Sequence, residues 1–448
     1  MKLSARKLLD RSFTAYGFFS ILLMAAALLI LLVPIFVRGI GAFVFFETLE
    51  NRRLNLEKFN RGNRHAIQRE IAQSVEFRRP VYERIAQFEE EIREMDSHSR
   101  REYRRELNAL KHALRELLGP FPGEDTPVLW RNQYGQTRWD RAKVKFHEVM
   151  HIREWDYSDP DRMGVKVYRD RREAFEGTSL VALFDDLEDN IKHILRPRIT
   201  VYWRFLFDRS FDAHFFGGIW PEILGTFYLA IGAMLFAVPI GIIAAIYLTE
   251  YAKQNLFTSL LRSGISTLAG VPSIVFGLFG LAFFIHTIGV SQSKSVLAGS
   301  LTLALLILPT VIRASEEALR SVPHTYKEAA LSLGAGKWFT VLTVLLPVAL
   351  PGILTGIVIS MGRAVGETAP IIFTAAVSVG RPLKFWQTFS QPTPALPWNI
   401  YNLSTEHEAV DEIRHVQYGM VLTLVSLVLI LNLAAIILRA RISRKLKG

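Results

Sequence analysis

The 448-residue sequence contains no cysteine, which excludes disulfide staples and thiolate chemistry in any compartment. It has no G-x-x-x-x-G-K-[ST] phosphate loop. Gly336-Lys337 is followed by Trp338, and Leu331 stands where the first glycine belongs. Kinase and histidine-phosphotransfer motifs are not visible either. The first apolar run lacks a small-residue cleavage site and is about twenty residues long, which favours a retained span over a signal peptide.

The formal charge is +11, a value that by itself admits nucleic acid as a partner. The basic excess, however, flanks apolar runs. Lys2, Arg6, Lys7 and Arg11 precede the first, and Arg439, Arg441, Arg444, Lys445 and Lys447 follow the last. This pattern points to a lipid bilayer and not to nucleic acid. The positive-inside rule places both termini in the cytoplasm, with an even number of spans between them.

Half of the residues are hydrophobic. Six spans are expected: Phe18–Val37, Ile223–Leu248, Leu268–Ile288, Val296–Ile312, Val348–Ala376 and Met420–Leu438. Each approaches the length needed to cross about 30 Å of hydrocarbon. Threading from a cytoplasmic start puts 250–267, 313–347 and 439–448 inside, and 38–222, 289–295 and 377–419 outside. Residues 47–215 are a different kind of sequence, with basic and acidic residues nearly balanced. Apolar residues recur at helical spacing from Val81 to Leu118, with a phase slip near Ser97-His98-Ser99, predicting a helical hairpin or one broken helix. Gly119-Pro120-Phe121-Pro122-Gly123 ends that pattern. Short alternating runs from Thr126 to Tyr168, including Lys143–Lys145, Val165 and Val167, predict a few strands. A further helix is expected over Leu180–Leu195, stopped by Pro197. The organisation is thus a first span (1–46), a mixed α/β insertion (47–215) and a membrane core (216–448).

Two features of this chain carry candidate chemistry. His147-Glu148-Val149-Met150-His151 fits the H-E-x-x-H spacing of a zinc peptidase helix. Its flanking Val144, Phe146, Met150 and Ile152 alternate as in a strand, which would turn Glu148 away from the histidines, although the same residues can also be threaded on a helix. Asp156, Asp159 and His193 are the candidates for a third ligand, none of them convincing. We expect surface histidines and no metal. The second feature is Arg363-Ala-Val-Gly-Glu367-Thr368, which interrupts the fifth apolar stretch. A charge at the centre of a membrane helix costs about 2.5–3.5 kcal/mol on insertion scales. Arg363 and Glu367, four apart, can pair on one side of a helix. Such a pair either lines a solute path or packs helices together.

The predicted cytoplasmic segment, about 314–347, carries Glu328-Ala329-Ala330, three residues, Gly334, nine residues, Val344, one residue, then Leu346-Pro347. It reads as helix, turn, helix, with Gly334 able to take the left-handed conformation. This spacing resembles the EAA loop of ABC-importer permeases throughout, with Val344 where isoleucine is commonest. Gly217-Gly218-Ile219, Pro239-Ile240-Gly241, Ile246 to Ala252, Gly270 to Gly277 and Arg363 to Pro370 are similar to PstA-type permeases of phosphate importers. The resemblance covers about 217–440 and the first span, and not the insertion. It implies six transmembrane helices of the type I importer fold in the bacterial inner membrane, with 47–215 extracytoplasmic. It implies a second, PstC-type permease, two copies of a PstB-type ATPase holding ATP and magnesium, and a PstS-type phosphate-binding protein. No cofactor belongs to this chain. Arg363, Glu367 and Thr368 would line the phosphate path. Glu328, Ala329, Ala330, Gly334 and Pro347 would couple to the ATPase. A permease for another oxyanion or small nutrient, and a membrane-anchored sensor or assembly scaffold, are the competing readings.

Overall fold

The computed structural model describes residues 3–124, 137–156, 164–211, 213–407, 410 and 412–447. Two compact units emerge. One comprises 1–42, 204–213 and 217–448; the other comprises 43–203 and 214–216.

The chain opens with helix α1 (Leu3–Gly39) and enters the inserted unit through strand β1 (Val44–Glu47). That unit continues through α2 (Leu49–Phe59), α3 (Arg64–Glu94), α4 (Ser97–Leu118), α5 (Trp139–Met150), β2 (His151–Asp156), β3 (Val165–Asp170), α6 (Val181–Leu195) and β4 (Arg198–Val201). Strands β1 and β4 pair antiparallel, Val44 opposite Val201 and Glu47 opposite Arg198. The unit therefore begins and ends on one ribbon, and close ends are what allow a folded domain to be inserted within another chain.

Its core grows out of the helical apolar spacing. Val81, Ile85, Phe88 and Ile92 of α3 meet Leu107, Leu110, Leu114 and Leu117 of α4, with Phe175 and the Leu183, Phe184, Leu187, Ile191 face of α6. The phase slip is a real break: Asp96 accepts from the amides of His98 and Ser99 and starts a new helix. Helices α3 and α4 then form the hairpin, joined by Lys111–Glu89 at 2.8 Å. Strands β2 and β3 pair antiparallel over residues 151–156 and 165–170, as expected around Val165 and Val167. The expected strand at Lys143–Lys145 is instead helical. Ala142 and Val149 are buried while Val144 is exposed, and Phe146 packs against the same core. That is the three-to-four spacing of a helix face, which a short alternation had mimicked.

The membrane unit resumes with α7 (Trp220–Ile246), prolonged by a π-turn over Tyr247–Tyr251. It continues with α8 (Leu256–Ala269), α9 (Ser273–Gly280, wound on as a π-turn to Thr287), α10 (Val296–Arg320), α11 (His324–Ser332), α12 (Lys337–Thr340), α13 (Leu346–Gly366), α14 (Ala369–Thr374), α15 (Leu396–Thr405) and α16 (Arg414–Lys447). Among the described residues, five helical stretches are long and apolar enough to cross a bilayer: Ser12–Ala42, Trp220–Tyr251, Val296–Arg320, Lys337–Gly366 and Arg414–Ile442. The pair α8 and α9 with its π-turn, bent by 102°, is apolar enough to make a sixth if the two together count as one broken span. The third span expected as Leu268–Ile288 is therefore not straight. Gly270 and Pro272 separate the two helices, and a proline has no amide to carry a helix through.

The fifth span also ends earlier than Ala376. Helix α13 stops at Gly366, and Glu367 leaves it with φ −77° and ψ 126°. The amide that would bond the Gly366 carbonyl belongs to residue 370, which is proline. Conversely, α10 runs on past Ile312 to Arg320. Helix packing relies on small residues: a Cβ at Gly356 would lie 2.2 Å from the Ala314 Cβ, and one at Gly352 2.7 Å from that of Ala318.

Candidate solute path and coupling surface

Arg363 sits in the last turn of α13. There the helix carbonyls present a partial negative charge that favours a cation. Its neighbours Ala364 and Val365 are 4 % and 2 % exposed, and Ala364 packs with Leu303 and Ile307 of α10 and with Ile371. The Arg363 side chain points away from that core and keeps 39 % of its surface open. Its Nε donates to Glu367 Oε1 at 3.2 Å, and the Glu367 side chain is 19 % exposed. The pair spans the helix end instead of lying on one continuous helix. Thr368 starts the next helix, α14, with no side-chain capping bond. Arg363, Glu367 and Thr368 are thus together at a break in the apolar span. An open guanidinium with one carboxylate partner offers a fork of donors suited to an oxyanion.

A second polar knot escaped the sequence reading. Glu222, in the first turn of α7, is fully buried. Its Oε1 accepts from Asn399 Nδ2 at 3.2 Å, and Thr226 Oγ1 accepts from the Leu396 amide at 2.9 Å. Within the stretch expected only as a loop, α15 thereby packs on α7. The available signal was an acid followed by an apolar run, the usual start of a helix.

The EAA segment forms the helix, turn and helix that its spacing predicts. Helix α11 buries none of its side chains, so Glu328 and Ala329 are exposed. Gly334 has φ +82°, which L-residues rarely adopt. Leu333 beside it is 89 % exposed, and Trp338 and Phe339 are each 61 % exposed. Pro347 follows a π-turn over Val341–Leu345, where its missing amide leaves the helical ladder one donor short. The base of the loop is fixed: Val322, Val341 and Leu345 are buried with Ala245, Ile246 and Ile353. A rigid base bearing an exposed apolar turn is a surface shaped for a partner.

In the inserted unit, His147 and Glu148 lie at the end of α5, while His151 begins β2. The two imidazoles stack at 4.1 Å between centroids. Glu148 is held by Lys145 at 3.1 Å, and Lys145 also reaches Glu116 at 2.7 Å. His193 stacks on Phe77, and Asp159 lies outside the described residues. Among the described residues, no three His, Asp or Glu side chains converge as a metal site would need. Burial pushes the His147 imidazole below its ordinary value. His151 acts in the same direction, and Glu148 opposes them.

Apolar helices broken at charged and proline positions, with an exposed helical turn on a fixed base, are those of a multi-span membrane protein. Residues 237–448 match the family described as binding-protein-dependent transport system inner membrane component. The probable ABC transporter permease protein YqgI of Bacillus subtilis is 37 % identical over 240 residues, 51 % of this chain and 80 % of that protein. The phosphate transport system permease protein PstA 1 of Mycobacterium tuberculosis is 37 % identical over 244 residues, 54 % of this chain and 78 % of its own. PstA of Yersinia pestis is 36 % identical over 228 residues, 50 % and 73 % of the two chains. The chain belongs to this family of binding-protein-dependent permeases, as a member of the PstA type.

Proposed function

We propose that this chain is one of two permease subunits of an ATP-driven importer of inorganic phosphate and forms half of the translocation path. The observation that carries the reading is the Arg363 guanidinium. It is more than a third exposed within an apolar span and neutralised by Glu367 at 3.2 Å. Similarity to phosphate transport permeases supports phosphate as the solute.

Phosphate is strongly hydrated and an apolar path rejects it. Arg363 lies about 24 Å along the helix from Pro347 at 1.5 Å per residue, well into the membrane from the coupling side. Glu367 neutralises it in the empty path and yields it to the anion, with Thr368 beside them offering a hydroxyl. Contact must stay weak, because tight binding stops release.

The second permease is of the PstC type and completes the path. Two PstB-type ATPase subunits bind ATP and magnesium and dock on the exposed turn at Glu328, Ala329, Ala330 and Gly334. Pro347 begins the span that follows. A PstS-type protein delivers phosphate from outside. In this reading both termini are cytoplasmic and the insertion is extracytoplasmic, where it modulates or scaffolds the transporter.

The reading is tested by labelled-phosphate uptake in a strain lacking this chain. Restored uptake that excess sulfate does not compete away is the expected result. Restored transport of a different solute, with no phosphate uptake, contradicts it.

A further inference from the structure

Helix α11 buries nothing of its own, yet it is not loose. Lys327, on its exposed helix, ion-pairs with Glu250, whose side chain is only 8 % exposed. Lys337, just beyond the coupling turn, places its ammonium 4.7 Å from the centre of the Tyr251 ring. Two cations ten residues apart, one on either side of Gly334, thus grip two adjacent residues of α7's final turn.

That turn is built as a joint. Tyr247–Tyr251 is wound as a π-turn, closed by the Ala252 amide donating to the Tyr247 carbonyl at 2.8 Å. Such turns mark places where a helix changes its winding. The turn is held from a third side as well. Arg262 of α8 donates to the Leu248 carbonyl at 2.7 Å and pairs with Glu316 of α10 at 3.3 Å. Displacement of the exposed turn therefore acts directly on Glu250 and Tyr251 through these two polar contacts, beside the apolar packing of Val341 and Leu345 on Ala245 and Ile246.

We propose that Glu250 and Tyr251 are positioning residues that transmit displacement of the coupling turn to the second span, through Lys327 and Lys337. The proposal rests on the reading of that turn as the ATPase dock. A buried carboxylate is well suited to the task. Once its lysine moves away it is left uncompensated in a poorly hydrated place, so it follows the lysine. The cation over Tyr251 adds a weaker second hold.

The test uses the whole transporter, with partner permease, ATPase and phosphate-binding protein, in liposomes. ATPase retention and phosphate accumulated per ATP hydrolysed are measured separately. Glu250→Gln and Lys327→Gln are expected to retain the ATPase while phosphate per ATP falls about tenfold, within the usual range of coupling between sites. The exchanged pair, Glu250→Lys with Lys327→Glu, is expected to recover most of that loss, which a merely structural role does not predict. Tyr251→Leu keeps an apolar side chain and is expected to give a smaller loss of the same kind. If Glu250→Gln fails to assemble, the exchanged pair and Tyr251→Leu decide. Normal coupling in Glu250→Gln, or an exchanged pair no better than the single variants, overturns the proposal while leaving the dock intact. Failure of the ATPase to associate with the unaltered chain removes the dock and this proposal together.

Discussion

The Nε of Arg363 lies 3.2 Å from a carboxylate oxygen of Glu367, across the point where helix α13 ends. The pair is made by a broken helix. Arg363 gains from the carbonyls of the last turn, and Glu367 reaches back to it from extended backbone. Removing the acid leaves the guanidinium without its neutralising partner. Glu367→Gln is expected to lower phosphate turnover about tenfold, because the anion is then held more tightly and leaves more slowly. Uptake kinetics with unchanged ATPase retention check this.

Gly334 has φ +82° with open space around its Cα, so the obstacle to a side chain there is conformational and not steric crowding. A left-handed residue costs roughly 1–2 kcal/mol when it is not glycine, and more for a β-branched one. Gly334→Val is expected to reshape the exposed turn and reduce co-purification of the ATPase. Gly334→Asn should be milder, since asparagine tolerates that conformation.

Phe88 is wholly buried and meets Phe175 edge-on, with ring centres 5.7 Å apart. Phe88→Ala is expected to destabilise the inserted unit by about 3–5 kcal/mol. Limited proteolysis should then cut within residues 43–203 while the membrane unit stays intact.

The stacked histidines predict a pH dependence. His147 has its pKa depressed from 6.5, first by burial and then by His151. Below 6.5 the unfolded chain binds a proton that the folded unit resists, so stability falls with pH in the window from 6.5 down to the depressed value. Above 6.5 both states are neutral at this residue and the effect vanishes. Thermal unfolding of the full chain should show this slope, and His147→Gln should flatten it without altering phosphate uptake. Because His147 is mostly solvated, the slope is expected to be shallow.

The features that were legible before the fold was known share a cause. The α3–α4 core, the end at Gly119 and the turn at Gly334 are set by residues within a few positions of one another. Local spacing and backbone preference therefore reveal them. Breaks inside apolar stretches were not legible by length and hydropathy alone. Ala369 to Ala376 are largely apolar like the residues before Arg363, and the missing amide of Pro370 ends the helix between them at Gly366. The same holds at Pro272 between α8 and α9. Strand against helix at Lys143–Lys145 could not be decided from four alternating residues, since the core contacts of Ala142 and Val149 are made with distant helices. Glu222 was placed just outside its span because its partner, Asn399, is 177 positions away. For the pair at Arg363 and Glu367, the residues were legible, and the helix end between them was not.

The central claim is that Arg363 carries phosphate through this subunit. The most direct measurement is labelled-phosphate uptake by liposomes holding the complete transporter with Arg363→Gln. Glutamine keeps hydrogen-bonding capacity and most of the length but removes the charge. We expect an assembled complex that retains its ATPase and has lost nearly all uptake, with Arg363→Lys recovering part of it. Uptake at the unaltered rate by an assembled Arg363→Gln transporter would contradict the account.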